Sequence, residues 1–245
     1  FVGWQWQAGK GTTSTNTNGS ITSTVSVNAT AGFSVVTYTG TGANATVGHG
    51  LGAVPSMIII KDRTTAVSNP AWPVYHTFLG NGNYLDLETN ASSASYAIWN
   101  NTSPTSSVFS IGAGTTAVNK SGDNYVAYCW APVAGFSAFG SYIGNGSSTG
   151  PFIYTGFQPR FIMTKCTSTT SHWVITDNAR NPYNVTTEAL MPDSSAAETT
   201  GEGSYTFLSN GFACNASISN EENVSGATYI YAAFASNPFK NSLAL

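Results

Sequence analysis

The 245 residues are rich in Ser, Thr, Asn and aromatic side chains, whereas charged residues make up only 8% and the net charge is −3. An ordinary soluble domain carries about 25% charged residues, so hydroxyls and amides must supply most of the polar surface here. The 8 basic residues are scattered singly, which argues against nucleic-acid binding because such surfaces cluster Lys and Arg. Apolar runs are far shorter than a membrane span, so we expect no membrane insertion.

The chain opens with FVGWQW, without an initiator Met or a secretory signal pattern. These six residues are similar to YVAYCW at 125–130, which we interpret as the closing strand of a module. We therefore expect FVGWQW to be the last strand of an upstream module, or a strand that takes its place, and the chain to be a piece of a longer protein. The polar residues 9–18 are predicted as a loop, and Ile21 to Val27 alternates in the manner of a strand.

An internal repeat begins at residue 31. AGFS at 31–34 recurs at 134–137, PSMIIIK at 55–61 is matched by PRFIMTK at 159–165, and NKSG at 119–122 is matched by NVSG at 223–226. The offset is 103 or 104 residues each time, while Trp72 and Trp173 stand 101 apart. Such order and spacing predict a duplicated module. We predict three regions: 1–30 as the upstream strand with a polar linker and a strand, 31–133 as the first β module, and 134–245 as the second.

The predicted elements are mostly short strands. The side chains of residues 33–38 alternate in the manner of a strand, and residues 57–60 form a short apolar run that is typical of a buried strand. The composition of residues 125–130 predicts a strand covered on both faces. Gly-rich turns recur between these segments, and the nearest helical candidate is a short turn around Ser194 to Glu198. This pattern predicts an all-β fold made of two tandem modules that resemble β-sandwiches or jelly rolls.

Cysteine and histidine spacing favours neither a metal nor a cofactor. The cysteines lack a CxxC pair and are predicted to be small buried apolar residues, with at most one disulfide. The histidines show no pairing at metal-ligand spacing. The residues concerned are Cys129, Cys166, Cys214, His49, His76 and His172.

Two acidic positions raise the question of catalysis. Asp86 and Glu88 in YLDLET stand two residues apart, so on a strand they would share one face. A glycosidase needs a carboxylate pair across a sugar cleft, but neighbouring acids on a solvated strand are commoner. Asp177 and Arg180 are expected to form a structural pair around a turn. Nucleophile-elbow, phosphate-loop and dinucleotide motifs are missing from the sequence, so we predict that the chain is not an enzyme, with a glycoside hydrolase as the competing enzyme class.

Candidate ligand contacts come from aromatic residues and one histidine. Exposed rings can stack on the apolar face of a sugar, and the candidates are Trp4, Trp6, Trp72, Trp99, Tyr96 and Trp173. Trp72 and Trp173 repeat between the modules, which favours a core role for them. Trp99 and Tyr96 have no clear counterpart and His49 lies between glycines in VGHGLG, so these three form the predicted ligand-binding set. A core role for the two rings and a hydrogen-bonded turn for His49 remain the competing interpretations.

Several long segments carry a family resemblance. They are GSITSTVSVNATAGFSVVTYTG at 19–40, VGHGLGAVPSMIIIK at 47–61, SGDNYVAYCW at 121–130, FGSYIGNGSSTGPFIYTGFQPRFIMTK at 139–165 and YIYAAFASNPFK at 229–240. Together they resemble uncharacterised phage tail-fibre and virion structural proteins with C-terminal β-repeat modules. The resemblance implies a structural role on the virion, outside the cell, as a homo-oligomer in contact with other virion proteins and able to touch cell-surface glycans. It supplies no catalytic residues. A secreted carbohydrate-binding or adhesion module of a cell is the alternative.

Overall fold

The structure is a computed structural model that describes residues 3–65, 71–215 and 221–236. Within these ranges the chain is almost entirely β, and its helical parts are the α-helix α1 (Thr116–Asn119) and a 3-10 turn (Ala97–Trp99). The all-β prediction is confirmed, and the strands form antiparallel, sandwich-like units.

The chain divides into two compact units. The first comprises Phe1–Tyr84 and Ala94–Pro132, and the second comprises Leu85–Ser93 and Val133–Leu245. The predicted boundary at 133/134 lies one residue from this division. The predicted region 1–30 belongs to the first unit, and the sequence repeat did not indicate that residues 85–93 belong to the second.

Ten strands are described in the first unit. They are β1 (Ser14–Asn16), β2 (Ser23–Asn28), β3 (Phe33–Thr39), β4 (Ala45–Gly48), β5 (Met57–Asp62), β6 (Pro73–His76), β7 (Asn83–Asp86), β8 (Ala94–Ser95), β9 (Val108–Ile111) and β10 (Asn124–Trp130). The last two residues of β7 already belong to the second unit. One sheet has the order β1-β2-β3-β10-β5-β6-β7-β8, and β4 pairs with β9 separately. β10 lies in the middle of this sheet, where it pairs antiparallel with β3 on one side and β5 on the other.

Eight strands are described in the second unit. They are β11 (Ser137–Ile143), β12 (Phe152–Tyr154), β13 (Pro159–Cys166), β14 (Trp173–Asp177), β15 (Thr186–Ala189), β16 (Thr199–Leu208), β17 (Gly211–Cys214) and β18 (Thr228–Ala235). They form two sheets, with the orders β11-β18-β13-β14 and β12-β17-β16-β15.

Each unit has its own core, built by alternation along the strands. In β3, Val36 and Tyr38 are buried while Thr37 and Thr39 face outward, because successive side chains point to opposite faces. The buried face of the first unit's large sheet packs with apolar residues of the β4–β9 pair. In the second unit, apolar residues of both four-stranded sheets form one cluster. Fully burying one such aliphatic or aromatic side chain contributes about 1.5–3 kcal/mol.

The same aromatic pair sits in both units. Tyr38 stacks on Tyr125 with ring centroids 5.2 Å apart, and Tyr142 stacks on Tyr229 at 4.9 Å. The hydroxyl of Tyr38 donates to the carbonyl of Val118 at 2.7 Å, and that of Tyr142 donates to a carbonyl at 2.8 Å in the equivalent loop. The duplication predicted from sequence therefore includes hydrogen-bonded core positions.

Three local predictions were wrong. Residues 3–8 adopt no strand, and Trp6 packs edge-on against Trp130 instead of continuing a sheet; Phe1 and Val2 lie outside the described residues. Residues 9–18, predicted as a loop, contain the strand β1 (Ser14–Asn16), which pairs with β2. Glu88 lies beyond the end of β7, so it does not share a strand face with Asp86.

Candidate functional site

Trp99, one of the three predicted ligand contacts, belongs to the core. The residue is 1% exposed, its ring meets Tyr75 edge to face at 5.6 Å, and its indole N–H donates to the Asn83 carbonyl at 3.1 Å. Because both the ring faces and the polar atom are occupied, Trp99 offers no surface to a ligand. This corrects the prediction of a binding role and supports the competing core role.

His49 is also buried, and both ring nitrogens are used. Its Nδ1 accepts the N–H of Leu51 at 3.2 Å, and its Nε2 lies 3.1 Å from the Thr105 carbonyl, to which it donates. Burial lowers the pKa of the imidazole, so the ring is neutral at pH 7 and matches this pattern of one donor and one acceptor. His49 therefore fixes a turn, which is the competing interpretation of VGHGLG.

Tyr96 is the one predicted contact that reaches the surface. It is 55% exposed and precedes the 3-10 turn, and its backbone N–H donates to the Gly82 carbonyl at 3.2 Å. With Trp99 and His49 both in the interior, the three predicted residues do not form one surface site.

A different cluster of aromatic side chains lines a groove on the first unit. We call it the aromatic groove; its volume is about 500 Å³, and its lining residues are Trp4, Gln5, Trp6, Phe33, Val35, Tyr128 and Trp130. Four of these residues come from β3 and β10, at positions that alternate with the buried ones and so share the outer face of the sheet.

Trp130 is the centre of the aromatic groove. Its ring lies 5.1 Å from Phe33, 6.0 Å from Trp6 and 6.3 Å from Tyr128, measured between centroids. The residue is 9% exposed, and its indole N–H is buried without an acceptor among the described residues. A buried donor without an acceptor costs about 1–3 kcal/mol, and such groups in native proteins call for an explanation.

A second, polar groove lies on the same outer face, toward the other end of β3. We call it the threonine groove; its volume is about 360 Å³, and its lining residues are Thr22, Thr24, Thr37, Tyr38, Thr39, Arg63, Thr64, Asn124 and Tyr125. The Thr39 hydroxyl donates to Asn124 Oδ1 at 2.9 Å, and the Asn124 N–H donates to the Thr64 hydroxyl at 2.8 Å. The Arg63 side chain is exposed and makes no ion pair with the part of the chain that the structure describes.

Sequence reasoning had named Trp4 and Trp6 as rings to test, but it missed Phe33, Tyr128 and Trp130. The signal was present in β10, where Tyr128 and Trp130 alternate with the buried Ala127 and Cys129. The sequence predicts that this strand is covered on both faces. In the structure, the residues on the outer face of β10 line the aromatic groove.

The acidic residues singled out in the sequence have different surroundings in the second unit. Burial, followed by the neighbouring Glu88 carboxylate, raises the pKa of Asp86 to about 6. The Asp86 backbone carbonyl accepts the indole N–H of Trp173 at 3.0 Å. The predicted pair of Asp177 and Arg180 is confirmed, with Arg180 Nε donating to Asp177 Oδ2 at 2.7 Å, and it closes a turn after β14.

Within the described ranges, no group of three or more His, Cys, Asp or Glu side chains could hold a metal ion. The three cysteines are buried and not joined by disulfides. No helix among the described residues has both the length and the apolar character needed to cross a membrane.

Residues 1–238 match the model of a family described as a domain of unknown function, DUF7483. The chain belongs to this family. The DUF7483 match spans both units and includes every residue of the aromatic and threonine grooves. Neither a curated protein nor a solved structure matches the chain significantly.

Proposed function

We propose that the chain is a non-enzymatic β module of a phage virion appendage, a tail fibre or similar, and that its first unit binds host surface glycans in the aromatic groove. The observation that carries the binding role is the clustering of Trp4, Trp6, Phe33, Tyr128 and Trp130 on one outer sheet face. Ligand sites are mostly aromatic and apolar, with a few polar groups that fix orientation. Gln5, the Tyr128 phenol and the indole N–H of Trp130 supply polar groups to this groove.

A saccharide is the ligand class that fits this lining. The faces of aromatic rings carry partial negative charge and attract the weakly positive C–H groups on the apolar face of a sugar ring. The amide of Gln5 can both donate to and accept from hydroxyls. The Trp130 nitrogen is covered by protein atoms, so a sugar hydroxyl reaches it only if a neighbouring ring such as Trp6 shifts.

The lining of the aromatic groove supports a role in binding without reaction. General acid–base catalysis needs a titratable side chain near the substrate, and covalent catalysis needs a nucleophile such as Ser, Cys or Lys. The described lining residues are aromatic, apolar or amide, apart from the Tyr128 phenol. This composition supports a binding module.

The placement on a virion is supported by the resemblance of long segments, from 19–40 to 229–240, to phage tail-fibre and virion structural proteins. The low charge and the hydroxyl-rich surface are common to extracellular β-proteins. A secreted carbohydrate-binding or adhesion module of a cell is the second candidate, since the same groove would serve it.

The experiment is a glycan array with the intact chain, followed by titration of the best-bound glycan. We expect Tyr128→Ala and Trp6→Ala to weaken binding by about fivefold or more, since one aromatic contact contributes on the order of 1 kcal/mol or more. Tyr96→Ala and Tyr154→Ala remove exposed rings outside the groove and serve as matched controls. Near-UV circular dichroism checks that each variant is folded. Binding to no glycan, or equal binding by groove and control variants, would overturn the glycan role.

A further inference from the structure

We propose that the exposed edge of β11 in the second unit pairs, antiparallel, with β11 of a second copy of this chain. The equivalent strand of the first unit is β3, because Tyr38 and Tyr142 occupy the same stacked and hydrogen-bonded position. β3 is paired on both sides, with β10 and with β2. β11 is paired with β18 and stands at the end of its sheet among the described strands.

Among the described strands, the strand that covers β3 has no copy beside β11. β2 precedes β3 in sequence and pairs with it from Thr24 opposite Thr37 to Asn28 opposite Phe33. The residues one repeat length, 104 positions, after β2 are 127–132, and most of these belong to β10. The duplication therefore supplied a β3-like strand to the second unit without the strand that covers it.

Backbone geometry identifies the groups at this edge. Gly144 donates its N–H to the Ala227 carbonyl at 2.9 Å, and the register places Tyr142 opposite Tyr229. In an antiparallel pair the residues that bond to one neighbour alternate with those that face away, so Ser141 and Ile143 point their N–H and C=O groups away from β18. These two residues accept and donate no hydrogen bonds on that side within the described ranges.

The β11 edge lacks the features that normally protect an exposed strand. Natural edges are blocked by charged side chains, proline, bulges or short length. β11 is 7 residues long, its sequence SAFGSYI contains neither charge nor proline, and its pairing with β18 is regular. Ile143 is 64% exposed at its end. The other described sheet-end strands have 5 residues or fewer; they are β1, β4, β8, β9, β12, β14 and β15.

A second β11 is the partner that fits this edge. Two identical strands related by a two-fold axis pair antiparallel, so every contact is made twice. With Ser141 opposite itself, Ile143 of each copy lies across from Phe139 of the other on the outer face of the sheet. Since the strand carries no charge, its own side chains do not repel those of an identical copy.

The test measures mass in solution by light scattering coupled to gel filtration, with the full chain at several concentrations. We expect a dimer for the wild type and a monomer for Ser141→Pro and Ile143→Lys. Proline is tolerated at an edge position whose N–H faces outward, so Ser141→Pro should leave the unit folded by circular dichroism. Tyr154→Lys, on the exposed side of β12, is the matched control and should remain dimeric.

A cysteine placed at the two-fold position gives a second readout. Paired residues that exchange hydrogen bonds have Cα atoms about 5.5 Å apart, which a disulfide can bridge. Under mild oxidation Ser141→Cys should form a covalent dimer, while Ser148→Cys in the exposed loop after β11 should not. A monomeric wild type, a trimer, or a dimer unaffected by both Ser141→Pro and Ile143→Lys would overturn the proposal.

Discussion

Asn119 and Asn223, which stand 104 positions apart, hold the same loop in the two units. Asn119 Oδ1 accepts the N–H of Thr41 at 2.9 Å, and Asn223 Oδ1 accepts the N–H of Asn145 at 2.8 Å. In each case Nδ2 donates to a carbonyl two residues further along that loop. Both side chains are fully buried. The two units therefore share these buried hydrogen bonds as well as an apolar core.

Replacing either asparagine should destabilise its unit by a similar amount. Asn119→Ala and Asn223→Ala each leave buried loop groups without partners, and such a loss costs about 1–3 kcal/mol. Chemical denaturation monitored by fluorescence measures the change in the free energy of unfolding. Asn18→Ala, at an exposed position, is the control and should change it by less than about 0.5 kcal/mol. A loss no larger than that of the control would show that the amides do not hold the loops.

Glycines next to these loops should be intolerant of a methyl group. A Cβ on Gly40 would lie 2.3 Å from the Lys120 carbonyl oxygen, and one on Gly144 would lie 2.2 Å from that of Val224. Because backbone atoms cannot move aside cheaply, we expect Gly40→Ala and Gly144→Ala to cost about 1–3 kcal/mol. Gly82→Ala, whose nearest neighbour is 4.0 Å away, is the matched control in thermal unfolding. Equal melting temperatures for all three variants would contradict the close approach.

Fold class and duplication could be predicted from sequence because both depend on local patterns. Strand alternation, turn residues and the spacing of repeated segments can all be recognised in the amino-acid sequence. The offsets of 103 and 104 residues show a one-residue insertion, but they do not give its position. AGFS aligns Phe136 with Phe33, whereas the strand pairing places Ser137 opposite Phe234, as Phe33 is opposite Trp130. Phe136 instead lies in the turn closed by the Val133 carbonyl.

The candidate site was harder to predict because burial depends on tertiary packing. Trp99 and Tyr96 are three residues apart in similar sequence surroundings, yet one is in the core and the other is exposed. Trp6 looked like part of a strand, since its segment resembles the end of β10. Its position over Trp130 depends on a chain path that no local pattern specifies.

Asp86 should make stability depend on pH in the acid range. Its pKa of about 6 in the folded chain exceeds its ordinary value of 3.8, chiefly because of burial. The folded state therefore binds more protons than the unfolded state between these values, and the free energy of unfolding falls as pH rises from about 4 to 6. Above pH 6 the penalty is constant, about 1 kcal/mol after discounting for partial exposure.

Asp86→Asn removes this titration while keeping the shape of the side chain. We expect the variant to be more stable than the wild type by about 1 kcal/mol at pH 7 and nearly equal to it at pH 4. Urea midpoints at the two pH values provide the comparison. A variant that is less stable than wild type at pH 7 would mean that the ionised carboxylate contributes favourably to the fold.

The threonine groove adds a prediction about which glycans bind best, given the proposed binding role. Arg63 is exposed beside Thr22, Thr24, Thr37 and Thr64 on the face that also carries the aromatic groove. A guanidinium binds carboxylate or sulfate groups through charge-assisted hydrogen bonds, while hydroxyls serve the neutral parts of a sugar. We therefore expect acidic saccharides to bind more tightly than neutral ones of the same length.

Arg63→Gln should separate the two classes of glycan. A hydrogen bond to a charged group contributes about 1.5–3 kcal/mol, so affinity for an acidic saccharide should fall by about tenfold or more, while affinity for its neutral analogue should change little. Raising the salt concentration should weaken only the acidic ligand, since exposed charges are screened. Arg160→Gln, an exposed arginine of the second unit, is the control in isothermal titration. Equal loss for acidic and neutral saccharides would show that Arg63 acts on the shape of the groove and not on ligand charge.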